Sequence, residues 1–386
     1  MFLIILLIIA VAALYLSGIK TQPVIHQEVL ELCQKAFSHF RNKNYQEAID
    51  LYSSALGKEP DYVPAYVMRG NAFYFLGEVD LALNDFTRAI EIKPDLAEAY
   101  NNRGNAYLAK GETDRAIEDL SRAVELDPNL SQAFFNRAGA FSEKGEYQKA
   151  MEDYNHSLSL EPRDLESYFE RATLLLKWKG FGELALADLN RFIELNPKSF
   201  RGYAARAICH VEGGNLIKAI VDLSRAIELK PDYAPLYFRR GVCFFSQGDF
   251  TSAIQDFSRL IELDPQFFKA YWKRGLCFLE EGKMEEAIED FSQVLELNPN
   301  FWKAYLAKAF AYRTLGELEK AKKEEEIARE ISGIDENAIS ALTQLSDWED
   351  DPSLDLEFTL PFDQTEPNNE EKKEEYYNPT PVGEGV

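Results

Sequence analysis

The sequence predicts an all-α chain, a solenoid of stacked helix pairs. Three observations predict it. Prolines recur at Pro60, Pro94, Pro128, Pro162, Pro197, Pro231, Pro265 and Pro299, every step 34 residues except one of 35. A fixed period of that length marks a helical array whose units bury their apolar faces on one another. Inside each period, apolar and small residues return at spacings of three, four and seven, the pattern of one helix face. A glycine near mid-period (Gly77, Gly111, Gly145, Gly282, Gly316) is placed to end a first helix. The proline ends the second, because it has no N–H and restricts the residue before it.

The chain starts with an uncharged apolar run, Phe2 to Ile19. As a helix it spans about 27 Å, enough for a bilayer core. No Lys or Arg precedes it, unlike a secretory signal, and Ala10-Val11-Ala12 lies inside the run. The reading is an uncleaved anchor over residues 1–20 in a single-pass membrane protein. Lys20 on its C-terminal flank places the repeats on the cytoplasmic side. The alternative is a secreted or periplasmic envelope-assembly factor whose apolar start is cleaved.

The repeats follow, over 27–333. Numbering the unit Val63–Leu96 from 1 to 34 gives Tyr66 at position 4, Gly70 at 8, Phe73 at 11, Ala82 at 20, Phe86 at 24, Ala89 at 27 and Pro94 at 32. The next unit repeats these as Tyr100, Gly104, Tyr107, Ala116, Leu120, Ala123 and Pro128. Small residues at 8 and 20 let the two helices approach, and aromatic or apolar residues at 4, 11 and 24 fill the space around them. This pattern resembles the tetratricopeptide repeat (TPR) family, as nine consecutive copies over about 300 of the 386 residues. The resemblance implies antiparallel helix pairs wound into a right-handed superhelix that serves as a protein-interaction scaffold. The first copy is degraded, with Leu32, Ala36 and His39 at positions 4, 8 and 11. The ninth, from Trp302, has Glu325 at position 24, and polar end units suit exposed ends. The fifth carries its extra residue between Lys177 and Gly182, expected to bulge from one rim.

Position 7 is Arg in seven consecutive units (Arg69, Arg103, Arg137, Arg171, Arg206, Arg240, Arg274). Position 23 is Asp in the same seven (Asp85, Asp119, Asp153, Asp188, Asp222, Asp256, Asp290). Both flank packing positions, where an unpaired charge is costly. They predict a ladder of internal ion pairs.

After the repeats, residues 334–346 read as a short amphipathic capping helix, with Ile339, Leu342 and Leu345 on one side. Residues 347–386 read as a disordered acidic tail: from Ser346 on there are 13 acidic and 2 basic residues. Within it, Trp348, Leu354, Leu356, Phe358, Leu360 and Phe362 alternate with acids.

The whole chain has 65 acidic and 42 basic residues, a net charge of −23. That argues against nucleic acid as a partner, since a nucleic-acid binder needs basic surface to displace counterions. Cys209, Cys243 and Cys277 all stand at position 10, where other units have alanine. They fill a small semi-buried site. No phosphate-cradling loop, paired-cysteine metal motif or nucleophile elbow appears. The reading is a non-enzyme with no catalytic, cofactor or metal site.

The resemblance further implies a concave groove lined by positions 2, 5, 9, 12 and 13 of the first helices. Carried onto this chain, that names Asn71, Tyr74, Asn101, Asn105 and Phe135 in the N-terminal half. In the C-terminal half it names Arg201, Phe238, Phe245, Lys269, Trp272, Leu276, Lys303, Phe310 and Arg313, with Arg239 and Lys273 beside them. Position 5 holds no Lys, so the carboxylate clamp of chaperone-tail-binding members is absent. The expected ligands are other proteins or extended peptides with apolar anchors and acidic flanks. The chain's own acidic tail is a further candidate.

Overall fold

The structure is a computed structural model that describes residues 26–178, 180 and 182–333. Among these, eighteen α-helices form and no strand does. Helix α1 spans 26–41. The first helices of the later repeats are α3 (Val63–Phe75), α5 (Ala97–Ala109), α7 (Ser131–Glu143), α9 (Leu165–Lys177), α11 (Phe200–Glu212), α13 (Ala234–Ser246), α15 (Phe268–Glu280) and α17 (Trp302–Thr314). The second helices are α2 (Tyr45–Lys58), α4 (Val79–Ile92), α6 (Thr113–Leu126), α8 (Tyr147–Leu160), α10 (Gly182–Leu195), α12 (Leu216–Leu229), α14 (Phe250–Leu263), α16 (Met284–Leu297) and α18 (Leu318–Ser332). The helices group into two compact units, divided within α9 between Glu170 and Arg171.

The expectation of a single-pass membrane protein is corrected here. Among the described residues no helix is long and apolar enough to cross a membrane. The repeat helices have 13 to 16 residues, from α3 to α1. A span needs about 20 apolar residues. The run Phe2–Ile19 lies outside the described residues, as do residues 334–346 and the tail.

Local chemistry sets the helix ends. Gly77, Gly111, Gly145, Gly282 and Gly316 all adopt positive φ, between 73° and 84°, directly after a first helix. A Cβ strains that conformation, so glycine is the residue that turns the chain there. Asn215 and Asp249 start α12 and α14, accepting the N–H of Lys218 and Ser252 at 3.1 Å. In four repeats the position-4 tyrosine (Tyr66, Tyr168, Tyr203, Tyr237) ties the repeat to the preceding proline. Tyr66 donates to the Pro60 carbonyl at 3.0 Å, and Tyr237 to that of Pro231 at 2.9 Å.

The core of each repeat is the contact of position 8 with position 24. In the first unit, a Cβ built on Gly70 would stand 2.7 Å from the Phe86 ring, and one on Gly104 2.7 Å from Leu120. In the second unit the same holds for Gly241 against Phe257, at 2.7 Å, and Gly275 against Phe291, at 2.6 Å. Phe86, Leu120, Phe257 and Phe291 are fully buried.

The charged ladder forms as the sequence predicts. In the first unit Arg69, Arg103 and Arg137 grip Asp85, Asp119 and Asp153 through two hydrogen bonds each, at 2.7–2.8 Å. In the second unit Arg171, Arg206, Arg240 and Arg274 do the same with Asp188, Asp222, Asp256 and Asp290. Lys308 and Glu324 continue it at 3.1 Å. In six of the rungs a third contact reaches backwards to position 25 of the preceding repeat. Arg69, Arg103 and Arg137 donate to Ser53, Thr87 and Ser121, and Arg206, Arg240 and Arg274 to Asn190, Ser224 and Ser258. Each of these six guanidinium groups therefore joins two helices of its own repeat to the second helix of the repeat before.

Candidate partner-binding face

Successive first helices touch one another, α3 with α5, α5 with α7 and α13 with α15. They form the inner side of each unit, with the second helices outside.

In the first unit this side is a chain of side-chain amides. Gln132 donates to Asn136 at 3.2 Å, Asn136 to Asn101 at 2.9 Å, Asn101 to Asn102 at 3.2 Å and Asn102 to Asn71 at 3.1 Å. Asn105 donates to the Tyr74 hydroxyl at 3.5 Å. Of the residues the sequence points to here, Asn71, Tyr74, Asn101, Asn105 and Phe135 are all buried. Phe135 packs edge-on against Tyr154. Asn102 and Asn136 are, besides Gln132, the members sequence reasoning missed. Their signal was present, as asparagine at position 6 of two consecutive repeats. Buried amides of this kind need hydrogen-bond partners, and here they supply one another's.

In the second unit the inner side has a different chemistry. Helices α11, α13, α15 and α17 hold ten lysines and arginines against two acids, Glu212 and Glu280. The earlier first helices α3, α5, α7 and α9 hold five basic and four acidic residues. Arg206, Arg240, Arg274 and Lys308 belong to the ladder. The other six are Arg201, Arg239, Lys269, Lys273, Lys303 and Arg313, all residues the sequence points to. Arg239 and Lys273 are buried, Arg201, Lys269 and Lys303 half-buried, and Arg313 exposed in a pair with Glu325. Burial pulls the Arg239 guanidinium down to about 10. That is the direction expected of a cation withdrawn from water, and an incoming anion would offset it. Lys273 lies over the Phe245 ring at 5.7 Å, and Lys303 over Trp302 at 6.0 Å.

The aromatic lining is narrower than the sequence suggests. Trp272 is fully buried, 5.4 Å from Phe291 and 5.0 Å from Phe301 between ring centres. Phe238 is buried against Phe257 and Phe267, and Leu276 is fully buried. These side chains belong to the core. Position 5 lies three residues before position 8, so it shares the face that meets the second helix. Phe245 and Phe310 keep partial exposure. No His, Cys, Asp or Glu cluster among the described residues is arranged to hold a metal ion.

Five profiles described as TPR or tetratricopeptide repeats match residues 70–111, 97–130, 131–164, 218–266 with 238–300, and 278–326. The chain belongs to the tetratricopeptide repeat family. Its fold is also similar to solved repeat proteins. The C-terminal part of a TPR repeat-containing protein from Cytophaga hutchinsonii is 20% identical with a TM-score of 0.51, over 62% of this chain and 98% of that one. MamA is 25% identical, TM-score 0.42, over 45% and 94%. PilF of Pseudomonas aeruginosa is 19% identical, TM-score 0.46, over 53% and 92%. No curated protein matches the chain. TPR folds typically serve as protein-interaction scaffolds, and the repeats of this chain support that role.

Proposed function

We propose that the chain is a protein-interaction scaffold whose inner face in the second unit takes an extended acidic segment carrying apolar side chains. The observation that supports this best is the charge of α11, α13, α15 and α17: ten basic and two acidic residues in a chain of net −23. Arg239 and Lys273, at position 6, and Lys269 and Lys303, at position 2, recur on that face one repeat apart, as carboxylates along an extended peptide would require. Several of these cations also engage groups within the protein. A ligand meets their summed field, which a wall of one sign strengthens. Phe245 and Phe310 offer it apolar contact.

A ligand of this kind is present in the chain's own sequence. Asp347 to Asp363 contains Trp348, Leu354, Leu356, Phe358, Leu360 and Phe362 among acids. Its start lies about a dozen residues beyond the ninth repeat, so it would act at an effective concentration in the millimolar range. In this reading the tail occupies the face and competes with an acidic partner.

A labelled peptide copying Asp347–Asp363 tests both readings. It should bind a chain lacking Ser346–Val386 more tightly than the full chain, and less tightly as salt rises. Lys273→Glu with Lys303→Glu should abolish binding. No binding to either chain refutes the acidic-ligand reading. Equal binding to both refutes only the competition by the tail.

A further inference from the structure

The sixth repeat departs from the others on its outer side. Positions 18 and 22 of a second helix face solvent. They are polar or charged elsewhere, as in Asp80 and Asn84, Asp114 and Glu118, or Glu285 and Glu289, with Ala187 in the fifth repeat the exception. In α12 they are Ile217 and Val221, 70% and 62% exposed. One repeat earlier, on α10, Leu184 is 52% exposed beside exposed Glu183 and Ala187. Single exposed apolar residues are ordinary, but an apolar stripe over two consecutive repeats marks an interaction surface.

We infer that this stripe is a contact between two copies of the chain. Two chains of net −23 repel, so a patch of low local charge favours their contact. From Leu216 to Val221, α12 has one charge, exposed Lys218, whereas the outer side of α16 carries exposed Glu285, Glu286 and Glu289. The stripe is also self-complementary. A two-fold axis that lays α10 of one copy on α12 of the other sets Leu184 against Ile217 and Val221. It brings Glu183 within reach of Lys218, and both contacts occur twice. Such isologous pairing is the commonest form of homodimer. The contact is small, in the weak class below about 1,200 Å², so association should be reversible and visible only at micromolar concentrations or above. It uses the second helices, which leaves the basic inner face open in both copies.

Sedimentation velocity of the full chain over a concentration series tests this. The wild type should shift from monomer to dimer. Ile217→Glu and Val221→Glu should each weaken dimerisation at least tenfold, with unchanged circular dichroism. Leu81→Glu, on the outer side of the second repeat, should not. Glu183→Lys should also weaken it, and Glu183→Lys with Lys218→Glu should restore it, which only the two-fold arrangement explains. A wild-type chain that stays monomeric, association that survives Ile217→Glu, or no rescue by the double exchange would overturn the inference.

Discussion

Replacing Arg240 with Met tests what the charged ladder does for the second unit. The guanidinium donates to Asp256 at 2.8 and 2.7 Å and to Ser224 of the preceding repeat at 2.9 Å. Met keeps much of the aliphatic volume and removes all three bonds. Asp256, whose side chain is only 5% exposed, is then left as a buried carboxylate without its counter-ion. Breaking a buried pair in this way costs about 3–5 kcal/mol. The Arg240 side chain retains 20% exposure, so water screens part of that and the expected loss is about 2–4 kcal/mol. Burial already draws the Asp256 carboxyl upward against the pull of Arg240. The variant should therefore relieve part of its strain by protonation and regain stability, relative to wild type, as pH falls. Urea unfolding followed by circular dichroism measures the loss. Amide exchange should place it in α12, α13 and α14, because repeats couple chiefly to their neighbours. Arg240→Met with Asp256→Leu should recover most of the stability, since it removes both charges. A single variant within about 0.5 kcal/mol of wild type, or a double variant no better than the single, would refute the reasoning.

Other consequences can be checked the same way. Gly275→Ala should cost about 1–3 kcal/mol in urea unfolding, because its Cβ would stand 2.6 Å from the enclosed Phe291 ring. Trp272→Ala should cost about 3–5 kcal/mol, as for a core side chain, before any effect on ligand binding appears. Burial pushes the Cys209 thiol up to about 12 and Cys243 up to about 11, so both should resist alkylation at pH 8 until urea opens the fold. Burial holds the His210 imidazolium below its ordinary range, against the pull of Asp222 at 3.6 Å and with Arg206 and Lys218 opposing the charge. Its folded pKa lies below the unfolded value of about 6.5, so its contribution is present above that pH and lost as pH falls through the folded pKa. The unfolding midpoint should drop between pH 7.5 and 5.5 by less in His210→Phe than in wild type.

Period and residue type determined the repeat fold. Helix ends, the glycine turns and the position 8 to position 24 contact follow from short-range spacing, which a single sequence displays as often as the repeat recurs. The Arg240–Asp256 type of pair was legible for the same reason: two charges beside packing positions must find each other. Only the tertiary structure decided which repeat the third bond of each rung reaches. Ser224 stands 16 residues before Arg240 and meets it only because neighbouring repeats stack. It also decided which groove positions face outward. Position 5 turns toward the second helix, so Trp272 and Phe238 went to the core, while Lys269 and Lys303, at position 2, kept exposure. The amide chain through Asn102 and Asn136 needs the register of three first helices at once, which local pattern does not contain. Periodicity constrains contacts within a repeat and to its neighbour. The direction in which a given side chain points depends on how helices approach, and that is a property of the packed chain.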